Sequence, residues 1–111
     1  MAKDDFFVIS YKIMAYLYAC MKAGEEPQYE EISPERFNIP EKYWYDIITN
    51  LYNKGYIDGV KEIHAPWSKQ TIYRTVNPVI TMDGIAYLED DSTMVKAKEA
   101  LKEFKAMAPM I

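Results

Sequence analysis

Apolar positions recur with a helical period through most of the chain and with a period of two in one short stretch. The sharpest pattern lies at residues 39–55, IPEKYWYDIITNLYNKG, which reads as the helix around which the rest is arranged. Pro40 is placed as its first helical residue, Glu41 follows where the helix dipole favours a carboxylate, and Lys54-Gly55 closes the far end. Trp44, Ile47, Ile48 and Leu51 form one face, and Lys42, Tyr45, Asp46, Thr49 and Asn53 fall opposite. Upstream, Asp4 or Asp5 can cap a helix running to about Ala23 with Gly24 after it. Its stripe is Phe6, Ile9, Ile13, Leu17 and Cys20, widened by Met14, Tyr16 and Met21. Residues 25–27 are a polar break, and 29–32 are too short to assign. Ser33-Pro34 then signals a brief helix that Asn38-Ile39-Pro40 ends.

After Gly55 the period shortens to about two. Residues 57–64 and 71–76 read as two strands of a hairpin joined by a partly basic loop, and Asn77-Pro78 is expected to end the ladder because proline offers no donor. Thr81 can cap a fourth helix with Ile85 and Leu88 inward, kept short by the acidic run Glu89-Asp90-Asp91 at its negative end. Ser92 or Thr93 is expected to cap a last helix, in which Met94, Ala97, Leu101, Phe104 and Ala108 make a narrow seam. That seam suits packing on the domain or on a second copy in a homodimer. The order predicts an α+β fold, mostly α: a winged helix, meaning a helix-turn-helix with a β-hairpin wing. A single domain over residues 1–111 is expected, with a core at 1–91 and a C-terminal helical extension at 92–111.

Composition narrows the function more than the fold. A chain of 111 residues buries roughly 65% of its unfolded surface, enough for one core. No uninterrupted apolar run reaches the roughly 18 residues of a membrane span, and no cleavable leader pattern follows Lys3-Asp4-Asp5, so a cytoplasmic protein without a membrane partner is expected. The single cysteine, Cys20, reads as a buried thiol. A net charge of −4 argues against a strong sequence-independent grip on nucleic acid. Charge is unevenly placed, however: Lys61, Lys69 and Arg74 outnumber Glu62 around the hairpin, and Lys96, Lys98, Lys102 and Lys105 outnumber Glu99 and Glu103 near the end.

Two segments, NLYNKGYIDGV at residues 50–60 and ITMDGIAYLEDDSTMVKAKEALKEFK at 80–105, resemble the YjcQ-like family of small winged-helix proteins from Gram-positive bacteria and their phages. The close of the central helix, L-x-x-K-G-Y-I from Leu51, is also similar to that of many winged-helix regulators. The resemblance implies the fold, and it supplies neither a catalytic residue nor a ligand.

Were the protein to bind double-stranded DNA, Lys42, Tyr45, Thr49, Asn50 and Asn53 would face the major groove and Lys61, Lys69 and Arg74 would reach phosphate. Asn suits adenine, Thr a thymine methyl, and the cations phosphate. Against this, Glu41 and Asp46 share that side of a helix with no net charge, so an ordinary solvated face or a protein-docking surface is the competing reading. Lys98, Lys102 and Lys105 form a basic stripe that reads either as a phosphate contact or as an ordinary solvated face, and Trp67 in the hairpin loop either packs back or meets a partner. No catalytic constellation is visible. His64 stands alone, Ser33, Ser68 and Ser92 sit in turn or capping contexts, and the four glycines form no phosphate loop. No enzyme, metal or cofactor is expected.

Overall fold

The computed structural model describes residues 1–64 and 71–107, without the side chains of 64, 71–73 and 104–107. It is mostly helical with one small two-stranded antiparallel hairpin, an arrangement consistent with a winged-helix-like architecture. The elements are α1 (Phe6–Ala23), a 3-10 turn (Tyr29–Glu31), α2 (Pro34–Phe37), α3 (Glu41–Asn53), β1 (Ile57–His64), β2 (Thr71–Ile80), α4 (Met82–Asp90) and α5 (Ser92–Met107).

The organising element is α1, not α3. It packs against α3, β2, α4 and α5, whereas among the described residues the main neighbours of α3 are α1 and the two strands. Asp5 caps α1 by accepting the Phe7 N–H at 2.9 Å, and Gly24 closes it at φ 70°. The buried arc is wider than the expected stripe: Val8 and Ser10 join Ile9, Ile13, Met14, Leu17 and Cys20, while Met21 is exposed. Ser10 is accommodated because its hydroxyl donates to the Phe6 carbonyl at 2.8 Å, leaving no orphaned donor. By length and composition α1 could also cross a membrane, with 18 residues at mean hydropathy 1.2. Its apolar residues form no unbroken run because Ser10, Lys12 and Lys22 interrupt them. Here its apolar arc is used inside the fold.

Between α1 and α3 the chain is held by local hydrogen bonds. The unassigned segment forms the 3-10 turn, and Ile32 after it is fully buried. The Trp44 indole donates to the Ile32 carbonyl at 2.7 Å, satisfying a buried acceptor and clamping the turn to α3. Ser33 caps α2 as expected, accepting the Arg36 N–H at 3.3 Å, and Asn38 ends it in the left-handed region at φ 54°. Pro40 falls one position outside its expected place. With ψ at 146° it is the residue before α3, which begins at Glu41.

The hairpin departs from the sequence expectation in two ways. β2 does not end at Asn77-Pro78 but continues to Ile80, which pairs with Ile57. Proline is tolerated because the ladder is interrupted there: Gly59 alone faces Val76, Asn77 and Pro78 between the Asp58–Val79 and Val60–Thr75 pairs. Gly59 adopts φ 77°, and a Cβ there would lie 1.9 Å from the Asn77 carbonyl oxygen. The bulge also breaks the expected alternation, so Val60 packs against the core while Ile63 is exposed.

At the far end, Thr81 caps α4 by accepting the Gly84 N–H at 3.0 Å, and its hydroxyl donates to the Gly55 carbonyl. Gly84 is buried against the chain leaving α3, and an added Cβ would stand 2.0 Å from the Tyr56 carbonyl oxygen. The cap of α5 is Asp91 rather than Ser92 or Thr93, accepting from the N–H groups of Thr93 at 2.8 Å and Met94 at 3.3 Å. The acidic run that ends α4 thus supplies the carboxylate that starts α5, where the dipole favours it. Met94 is fully buried in the main core cluster, so α5 contributes to that core.

Candidate nucleic-acid interface

At about 100° per residue, the outward side of α3 resolves into a ridge and two flanks. Lys42, Asp46, Thr49 and Asn53 succeed one another at helical spacing along the ridge, with Lys42, Asp46 and Asn53 exposed and Thr49 half-buried. Asp46 therefore stands between Lys42 and the two neutral polar residues, and the ridge carries no net charge.

Tyr45 lies on the flank towards the hairpin. There it lines a groove of about 520 Å³ with Tyr29, Glu41, Trp44, Ile63, Arg74 and Thr75. Trp44 packs edge-on against both tyrosines, with ring centroids 6.1 Å from Tyr29 and 5.5 Å from Tyr45. Burial pushes the Tyr45 phenol up, Glu41 adds to the shift, and Arg74 opposes it. The same groups act on Tyr29, which burial and Glu35 raise first. Glu41 and Arg74 thus share one groove, and the positive surface of the hairpin does not run unbroken to Lys42.

Asn50 lies on the other flank, towards α1. Its side-chain amide donates to the Asp46 carbonyl at 2.7 Å, and it borders a depression of about 350 Å³ with Phe6, Phe7, Lys54 and Tyr87. Lys42, Thr49 and Asn53 are brought together on the ridge, and Tyr45 is brought to Arg74. Asn50 is separated from the hairpin by the width of the helix.

On the hairpin, Lys61 and Arg74 are partners directly across the ladder and both are exposed. Like charges placed opposite each other destabilise a strand pair, so this arrangement is not explained by hairpin stability alone. Among the described residues neither is held in an ion pair. Lys69 and Trp67 lie outside the described residues, as do Ala108 and the side chains of His64, Phe104 and Lys105. Of the seam on α5, Met94 and Ala97 are fully buried within the chain and Leu101 is half-buried. Sequence reasoning missed Tyr29 and Glu35 as neighbours of this surface, because contacts between residues distant in sequence, the Trp44–Ile32 hydrogen bond and the Tyr29–Trp44 ring contact, bring this segment beside α3. Among the described residues no group of three or more histidine, cysteine or acidic side chains is placed to hold a metal ion.

The fold and this face describe a small helical domain with a hairpin beside its third helix. A family model described as "YjcQ protein" matches residues 11–107, and the chain belongs to the YjcQ family. Neither the curated proteins nor the solved structures searched contain a match.

Proposed function

We propose that this protein is a cytoplasmic, non-enzymatic winged-helix regulator that binds double-stranded DNA, with α2 and α3 as the helix-turn-helix and β1–β2 as the wing. The observation that carries the reading is the Lys61–Arg74 pair, two exposed cations opposed on a hairpin beside the outward face of α3. Phosphate oxygens would relieve that repulsion, while Lys42, Thr49 and Asn53 reach base edges. YjcQ membership and the mostly helical, hairpin-bearing shape support a regulatory role.

A second reading is favoured by Asp46 and Asn50. A carboxylate in the middle of the ridge opposes phosphate, and an amide already bonded to its own helix is less available to a base. In that reading the same face, with its tyrosine-lined groove, docks a protein.

Titration of isotope-labelled protein with a DNA duplex tests the choice. At low salt, binding in the range of about 10⁻⁴ to 10⁻⁶ M is expected to shift amides of α3 and the hairpin, and raising salt to about 200 mM is expected to weaken it. Absence of shifts at low salt overturns the DNA reading and leaves protein docking.

A further inference from the structure

A second charged surface lies away from α3, between α1 and α5. A cleft of about 380 Å³ is lined, among the described residues, by Tyr11, Lys12 and Ala15 from α1 and Lys98, Leu101 and Lys102 from α5. Three lysines, Lys12, Lys98 and Lys102, border it and no described carboxylate lines it, in a chain whose net charge is −4. Lys98 and Lys102 are one turn apart, a spacing at which like charges repel.

Lys12 adds an independent observation. It is half-buried, 5.9 Å from the centroid of the Phe37 ring. Burial lowers its pKa, and Lys3 and Arg36 lower it further, so this ammonium sits in a positive field as well as a partly dry site. The nearby anions are weak compensation: Glu99 reaches Lys102 at 3.6 Å and Glu31 reaches Arg36 at 3.5 Å, both as exposed pairs. Glu89, which acts on Tyr11, and Glu99 line an adjoining depression that shares Tyr11, Ala15 and Lys98 with this cleft.

Size identifies the occupant. The lining spans one turn of each helix, about 6 Å along each axis, which is too short to seat an amphipathic helix through successive turns. Three cations call for more than one negative charge, and Tyr11, Ala15 and Leu101 offer an apolar floor that a bare inorganic anion would leave unused. We propose that this cleft binds a small organic polyphosphate with a flat apolar body, of the class of a nucleoside diphosphate. The phosphates would lie among Lys12, Lys98 and Lys102, and the base would cover Tyr11 and Leu101.

The test is an amide-shift titration of the full chain with ADP, adenosine, pyrophosphate and a DNA duplex in parallel. ADP is expected to move the amides of 11–15 and 98–102 with a Kd of about 10⁻⁴ M, and adenosine and pyrophosphate each to bind at least about tenfold more weakly. The variant Lys98→Gln/Lys102→Gln, checked for an unchanged thermal midpoint, is expected to weaken ADP by about tenfold or more. Lys12→Gln is the second variant should that pair fail to fold. Silence of these amides with ADP overturns the proposal, as does unaltered binding by either variant. Pyrophosphate binding as tightly as ADP overturns the role of the apolar floor. A duplex moving these amides more strongly than ADP assigns the cleft to backbone phosphate instead. Shifts on α3 report on the DNA reading alone.

Discussion

α1 and α3 are both amphipathic helices, but they use their apolar residues differently. α3 buries one stripe, Trp44, Ile47, Ile48 and Leu51, and leaves a polar ridge in water. α1 is buried over a broad arc that includes Val8 and Ser10, with half-buried Tyr11, Tyr16 and Tyr18 at its margins. A clean separation of polar and apolar faces marks a helix covered on one side, and a blurred one marks a helix with neighbours on several sides. The helix with the sharper pattern is therefore the more peripheral of the two, and the one whose outer face is free for a partner.

The comparison is broken most severely at the centre of α1. Ile13→Ala, at a fully buried position, is expected to cost about 2–5 kcal/mol in urea unfolding, whereas Lys42→Ala on the α3 ridge should stay within about 0.5 kcal/mol. Equal losses at both sites would mean that the two helices contribute alike. Next in size is Gly84→Ala in α4. Helix propensity alone predicts stabilisation of up to about 1 kcal/mol, but the 2.0 Å approach of a Cβ to the Tyr56 carbonyl oxygen predicts destabilisation by about 1–3 kcal/mol. The sign of the measured change decides whether α4 packs as closely as described. Asp91→Ala removes the cap of α5 and should lower stability by about 1 kcal/mol, while Ser92→Ala should have almost no effect if Asp91 is the cap. The smallest effect concerns the ridge itself. Asp46→Asn should leave the thermal midpoint unchanged and strengthen duplex binding severalfold at low salt, because one phosphate-repelling charge is removed. Unchanged affinity in that variant would place the duplex elsewhere or exclude it.

Much of the fold was readable because the signals were local. Asp5, Ser33 and Thr81 as caps, Gly24 as a terminator and the apolar stripe of α3 all follow from side chains acting within a turn of their own position. What escaped reading depends on residues distant in sequence. Pro78 looks like a strand terminator until the bulge opposite Gly59 makes its missing donor harmless. Asp91 looks like an unfavourable end for α4 until the chain turns and it becomes the start of α5. The candidate site shows the same division. The ridge of Lys42, Thr49 and Asn53 could be drawn on a helical wheel, and the division of Tyr45 and Asn50 between opposite flanks could be read there too. The meeting of Tyr45 with Arg74, Glu41 and Tyr29 required the hairpin and the 3-10 turn to be docked. Lys98 and Lys102 were visible as a stripe, but nothing in their own helix announces that Lys12 faces them from α1.

Thr81 joins two places that the chain separates by a whole hairpin. Its hydroxyl donates to the Gly55 carbonyl and its N–H donates to the Tyr56 carbonyl at 3.0 Å, while Gly84 donates back to it. The segment between Tyr56 and Thr81 is therefore an excursion whose two feet are fastened together. Because closing a longer loop on a fixed stem adds only about 0.6 kcal/mol per doubling of its length, such an excursion can change in length and charge over evolution with little strain on the helices.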